Sequence, residues 1–134
     1  MIIGFVCGCF DLFHIGHLNL LKAAKNECDY LIVGVHTDNS ILLHKQHEPI
    51  INENDRLKIV KSIRYVDDAI LISKELDERL TFCKIHNVDI IFAGDDWKGK
   101  PIYDKLKEAG IAIKFFPYTQ GISTTQIREK IKEQ

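Results

Sequence analysis

An α/β fold, with a parallel sheet covered by helices on both faces, is what this sequence predicts. Three observations predict it. Five short apolar runs recur along the 134 residues. Helical periods or polar stretches separate each run from the next. Glycine-bearing or polar loops follow three of the runs. Apolar runs without alternation belong to strands buried on both faces, and strand–helix alternation joins such strands in parallel. The length implies one domain spanning residues 1–134.

Residues 2–7 are the first strand, bounded by Gly8. Residues 17–27 carry Leu18, Leu21 and Ala24 on one helical face, with Lys22 and Lys25 off it. Asp29 to His36 contains the second strand. Residues 37–52 read as polar and irregular, and Asn52 then starts a helix with Leu57, Val60 and Ile63 inside. Asp68 to Ile72 is the third strand, and residues 75–86 repeat a helical period through Leu76, Leu80 and Cys83. Val88 to Ala93 is the fourth strand, ending at Gly94. Residues 102–109 form a short helix closed by Gly110, a common C-terminal stop. Ile111 to Phe116 is the fifth strand, and the last helix begins near Ser123.

The composition is that of a globular domain, 46% hydrophobic and 28% charged, with a net charge of −1. That balance offers no general attraction for nucleic acid or an anionic membrane surface. No stretch is long enough to span a bilayer, and the first apolar run lacks the basic flank of a signal peptide. A cytoplasmic location is expected. Cys7, Cys9, Cys28 and Cys83 contain no zinc-type pair and read as reduced thiols.

The chemistry concentrates in Gly8-Cys9-Phe10-Asp11-Leu12-Phe13-His14-Ile15-Gly16-His17. A strand, a glycine turn and a helix start in that order make an anion site, because unpaired backbone N–H groups and the helix dipole converge there. His14 and His17 add side-chain donors for a phosphate under attack, and Gly16 gives a ligand access to the backbone. Asp11 reads as a turn-fixing carboxylate, and Phe10 packs over a ligand or into the core. Thr119-Gln120-Gly121-Ile122-Ser123-Thr124-Thr125 precedes the last helix and offers a second anion site, with Ser123 and Gln126 fitting a capping box. Gly94-Asp95-Asp96-Trp97 follows the fourth strand. Its carboxylates can bind ribose hydroxyls, a base amino group or Mg²⁺, and Trp97 offers a face for a base. Lys45, His47, Arg56 and Arg64 supply positive charge around the polar loop and the helix after it. In sheets of this kind ligands bind beyond the C-terminal strand ends, so the three loops belong to one composite site.

These residues resemble the cytidylyltransferase family of the HxGH nucleotidyltransferase superfamily. The likeness is carried by Gly8–His17, Arg64-Tyr65-Val66-Asp67, Gly94–Trp97 and Gly121–Thr125, in register over essentially the whole chain. The resemblance implies a Rossmann-like sheet of strand order 3-2-1-4-5. It implies transfer of the cytidylyl group of CTP, with Mg²⁺, to a phosphorylated alcohol. In the branch most alike, glycerol 3-phosphate is converted to CDP-glycerol and pyrophosphate. By the family pattern His14 and His17 stabilise the transition state, and Gly8, Cys9, Phe10, Ile15 and Gly16 line the nucleotide. Asp95, Asp96 and Trp97 surround cytosine and ribose, and His47 and residues 118–125 hold CTP. The acceptor falls to Lys45 and Arg79, with Arg56 and Arg64 nearby, and the Arg64 segment implies a homodimer. The family pattern has an arginine where this chain has Tyr118, a lysine where it has His47, and a lysine where it has Arg79. Its rival readings are another phospho-polyol, phospho-sugar or phospho-amino alcohol as acceptor, an adenylyltransferase, or a nucleotide-binding module without turnover.

Overall fold

The computed structural model describes residues 1–117 and 119–134. Five parallel strands form one sheet in the order β3-β2-β1-β4-β5: β1 (Ile3–Gly8), β2 (Tyr30–His36), β3 (Asp68–Ile72), β4 (Ile90–Gly94) and β5 (Ala112–Phe116). The expected architecture and strand order are those observed. Side chains alternate between two apolar layers. Val6, Leu31, Val33, Val35, Ala69 and Phe92 face one side, against Leu21, Ala24 and Val60. Phe5, Ile32, Ile72, Ile91 and Ala93 face the other, against Cys83, Tyr103 and Leu106. The helices α1 (Ile15–Asn26) and α3 (Glu53–Lys61) supply the first set, and α4 (Leu76–Ile85) and α5 (Pro101–Glu108) the second. Burial of both sheet faces explains why the strands read as unbroken apolar runs.

Local signals set the helix ends. Asn52 accepts the Asp55 N–H at 3.0 Å to start α3, Pro101 occupies the first turn of α5, and Ser123 accepts the Gln126 N–H at 3.0 Å to start α6 (Thr124–Lys132). One segment corrects the sequence reading. Residues 37–52 are not irregular throughout, because Asp38–Lys45 forms α2. Thr37 caps it by accepting the Ser40 N–H at 3.1 Å. Only Ser40 and Ile41 of this helix are buried, so its amphipathic signal is faint and its polar start resembles a loop.

The consequence for function lies at the C-terminal strand edge. β1 pairs with β2 on one side and β4 on the other, and their crossovers leave on opposite faces. A crevice opens above β1, between a half built after β2 and β3 and a half built after β4 and β5.

Candidate active site

A cavity of about 650 Å³ fills that crevice. His14 and His17 sit on its wall at the start of α1, with their rings stacked 3.8 Å apart. The His14 backbone N–H donates to His17 Nδ1 at 3.1 Å, and the Gly16 N–H donates to His14 Nδ1 at 3.0 Å. Both Nδ1 atoms are therefore acceptors, which places the ring proton of each neutral histidine on Nε2. The pair thus caps the helix and also presents two Nε2–H donors. Gly16 is required by this arrangement, because a Cβ there would stand 2.8 Å from the His14 ring. Gly16 itself stays on the cavity wall.

Burial holds the His17 pKa down to about 4, with neighbouring His14 and Lys45 acting in the same direction against Asp11. Burial also lowers His14. His36, 4% exposed, lies well below its ordinary value through burial first and then the charges of Arg79, Lys74, Lys45 and Arg56. All three rings are neutral in the folded protein near pH 7, so they act as directed donors rather than resident cations. Unfolded, they titrate near 6.5 and bind more protons, so stability falls as pH drops from about 6.5 toward 4. Thermal melts should be level above pH 7 and lower at pH 5, with a smaller drop in His36→Gln. An unchanged drop in that variant would remove His36 from the account.

The loop that carries these histidines is bent by left-handed backbone at Phe10 (φ 53°) and Leu12 (φ 51°), a conformation that non-glycine residues adopt at a cost of about 1–3 kcal/mol. Asp11 between them holds the bend. Its carboxylate accepts the Ile50 and Ile51 N–H groups at 2.8 and 2.9 Å and the Arg128 guanidinium at 2.8 Å. Burial alone would raise its pKa, but these donors outweigh it and keep the carboxyl below its usual range. The Asp11 carbonyl accepts the Thr124 hydroxyl at 2.8 Å, and Asn19 donates to Thr119 Oγ1 at 3.1 Å. Those two bonds bring residues 119–125 against the histidine loop. Phe10, 3% exposed, packs under His17 with ring centroids 5.4 Å apart.

Of the residues singled out in the sequence, Gly8, Cys9, Phe10, Gly16, Lys45 and His47 reach the cavity wall. Asp96, Trp97, Thr119, Ile122, Ser123, Thr124 and Thr125 reach it from the other half. Ile15 does not, its side chain being 53% exposed at the helix start, and Asp95, Gln120 and Gly121 are exposed and lie off the wall. Tyr118 lies outside the described residues. Three arginines depart from the acceptor role read for them. Arg56 is fully buried, donating to the carbonyls of Ile51, Cys9 and His36 and to Asp38 at 2.6–2.8 Å. Arg64 follows α3 and precedes β3, at the opposite sheet edge, and donates to the Tyr65 hydroxyl at 3.1 Å. Arg79, 3% exposed, stands behind the wall, with its NH2 group 3.3 Å from His36 Nε2. A guanidinium only donates, so His36 Nε2 accepts and its Nδ1–H points to Cys9 Sγ at 3.6 Å.

Sequence reasoning missed Lys74, His36 and Arg128, which all line the cavity. His36 had a usable signal, as a polar residue closing an apolar strand that pairs directly with β1. Lys74 and Arg128 read as ordinary charges in a loop and on a helix.

A family model described as Cytidylyltransferase-like matches residues 5–130. The chain belongs to that family. A glycerol-3-phosphate cytidylyltransferase of Bacillus subtilis (strain 168) is 41% identical over 92% of this chain and 92% of its own length. An ethanolamine-phosphate cytidylyltransferase of Dictyostelium discoideum is 38% identical over 92% of this chain and 34% of its own. Among solved structures, a lipopolysaccharide core biosynthesis protein from Thermoplasma volcanium GSS1 superposes with a TM-score of 0.71 at 31% identity, covering 89% of this chain and 97% of that one. Membership of the cytidylyltransferase-like family makes this a nucleotidyltransferase-type chain, and among its described residues no helix is long and apolar enough to cross a membrane.

Proposed function

We propose that this chain transfers the cytidylyl group of CTP to a phosphorylated alcohol, with glycerol 3-phosphate as the leading acceptor, in the cytoplasm and as a homodimer. The observation that carries the reading is the pair of stacked imidazoles whose Nε2–H donors stand at the junction of two unlike halves of one cavity. On the β4–β5 side, Asp96 and Trp97 suit the ribose and base, and the Ser123 and Thr124 hydroxyls at the α6 start suit the outer phosphates. The β2–β3 side carries Lys45, Lys74 and His47, which suit an acceptor phosphate.

An oxygen of the acceptor phosphate attacks the α-phosphorus, forming one P–O bond as the bond to the β-phosphate bridge oxygen breaks. Pyrophosphate leaves with that electron pair, and the acceptor dianion needs no base. Charge builds on the equatorial oxygens of the α-phosphate, where His14 and His17 donate. Neutral rings tighten these bonds as charge develops, and the growing charge draws their pKa upward. Mg²⁺ supplies charge neutralisation on the triphosphate when bound. Among the described residues no group of three His, Cys, Asp or Glu side chains is placed to hold a metal alone. Asp96, on the cavity wall, is the carboxylate that would hold such an ion beside the triphosphate.

Pyrophosphate release should require both CTP and a phospho-alcohol. The test is a screen of four nucleoside triphosphates against glycerol 3-phosphate, pentitol and sugar phosphates, phosphocholine and phosphoethanolamine. Tight CTP binding with no release across that panel would make the chain a binding module, and a preference for ATP would make it an adenylyltransferase.

A further inference from the structure

Lys74 is an ammonium group in the cavity wall for which the fold provides no anion. Among the described residues no carboxylate forms an ion pair with it. Its Nζ instead lies 4.7 Å from the centroid of Trp97, the sole tryptophan of the chain. Burial is the first cause of its lowered pKa, and Lys45, Arg79 and Lys100 push the same way, against the opposing influence of the Cys9 thiol. The backbone is nevertheless fixed, since the Lys74 N–H donates to Ser40 Oγ at 3.0 Å, and Ser40 is 4% exposed. Lys74 also lines a second cleft of about 320 Å³ with Leu76, Pro101 and Ile102, so it forms the partition between that cleft and the main cavity.

A well-anchored residue with its cation parked on an aromatic face, crowded by like charge, is arranged to receive an anion. In-line displacement says which one. The attacking and leaving oxygens lie on opposite sides of the α-phosphorus. With pyrophosphate leaving toward the α6 start, the incoming phosphate arrives from the β3 side, where Lys74 follows the strand end. A charge-assisted bond to a phosphate dianion is stronger than a cation–π contact at a partly exposed site. We infer that Lys74 is a specificity-determining residue for the acceptor, moving its ammonium from the Trp97 face to the acceptor's phosphomonoester. This rests on the transfer reaction proposed above.

Trp97 makes the exchange visible. Titrating the wild type with glycerol 3-phosphate should change tryptophan emission as the ammonium leaves the ring, and Lys74→Met should lack that response. The same variant should raise the KM for the acceptor by about 10- to 100-fold and leave the KM for CTP within about twofold. Lys74→Arg, which keeps the charge, should recover most of the acceptor affinity. A Lys74→Met enzyme with wild-type acceptor KM would overturn the assignment and leave the transfer reaction standing. Absence of pyrophosphate release from the wild type would sink the reaction instead. Lys74 is then decided by the fluorescence titration with glycerol 3-phosphate and with inorganic phosphate, where equal affinity in wild type and Lys74→Met overturns it.

Discussion

His14→Asn should lower kcat by about 10²- to 10³-fold, the usual cost of one transition-state donor, and leave the melting temperature nearly unchanged. The choice of asparagine matters. His14 is the cap of α1, and its Nδ1 accepts the Gly16 N–H. Asparagine is among the best capping residues, so it can replace that acceptor while removing the Nε2–H. Alanine would remove both and mix a folding effect of about 1 kcal/mol with the chemistry. Steady-state kinetics and a thermal melt on the same preparation separate the two. Wild-type turnover in His14→Asn would mean that the cap is the residue's whole role.

Arg56→Met should damage the fold severely, with a loss of about 3–5 kcal/mol, because three carbonyls lose their donor at once. For a chain of this length that is a drop in Tm on the order of 10–20 °C. The guanidinium is 0% exposed and spans four acceptors. Methionine fills much of the volume but leaves three carbonyls without that donor and Asp38 without its cation. Catalytic loss should follow the unfolded fraction and vanish when assays are run well below the new Tm. An Arg56→Met protein that melts like the wild type but has lost acceptor affinity would restore Arg56 to the substrate.

What the sequence reveals here divides along physical lines. The strands were readable because two-sided burial excludes polar residues from runs such as Tyr30–His36. The histidine loop was readable because an anion site needs a strand, a glycine turn and a helix start in immediate succession. α2 was hidden because a helix that buries two residues leaves almost no periodic trace. Arg56 was misread because an arginine on a helix looks the same in sequence whether it meets water, a ligand or carbonyls. Its partners include Cys9, 47 positions away, and His36, 20 positions away, and no local pattern encodes such a convergence. Arg128 was missed for the same reason, as its partner Asp11 is 117 residues distant.

The Arg56 hub also bears on how the molecule comes apart. Its acceptors belong to the ends of β1 and β2, to Asp38 at the start of α2, and to the turn before α3. Separating any one of them from the rest removes an acceptor from a fully buried guanidinium, which costs more than the loss of an exposed bond. Partial opening at this side of the crevice is therefore disfavoured, and the catalytic end should unfold only together with the sheet. In amide hydrogen exchange, the N–H groups of Ile50 and Ile51, although they belong to a connecting segment, should open at the free energy of global unfolding.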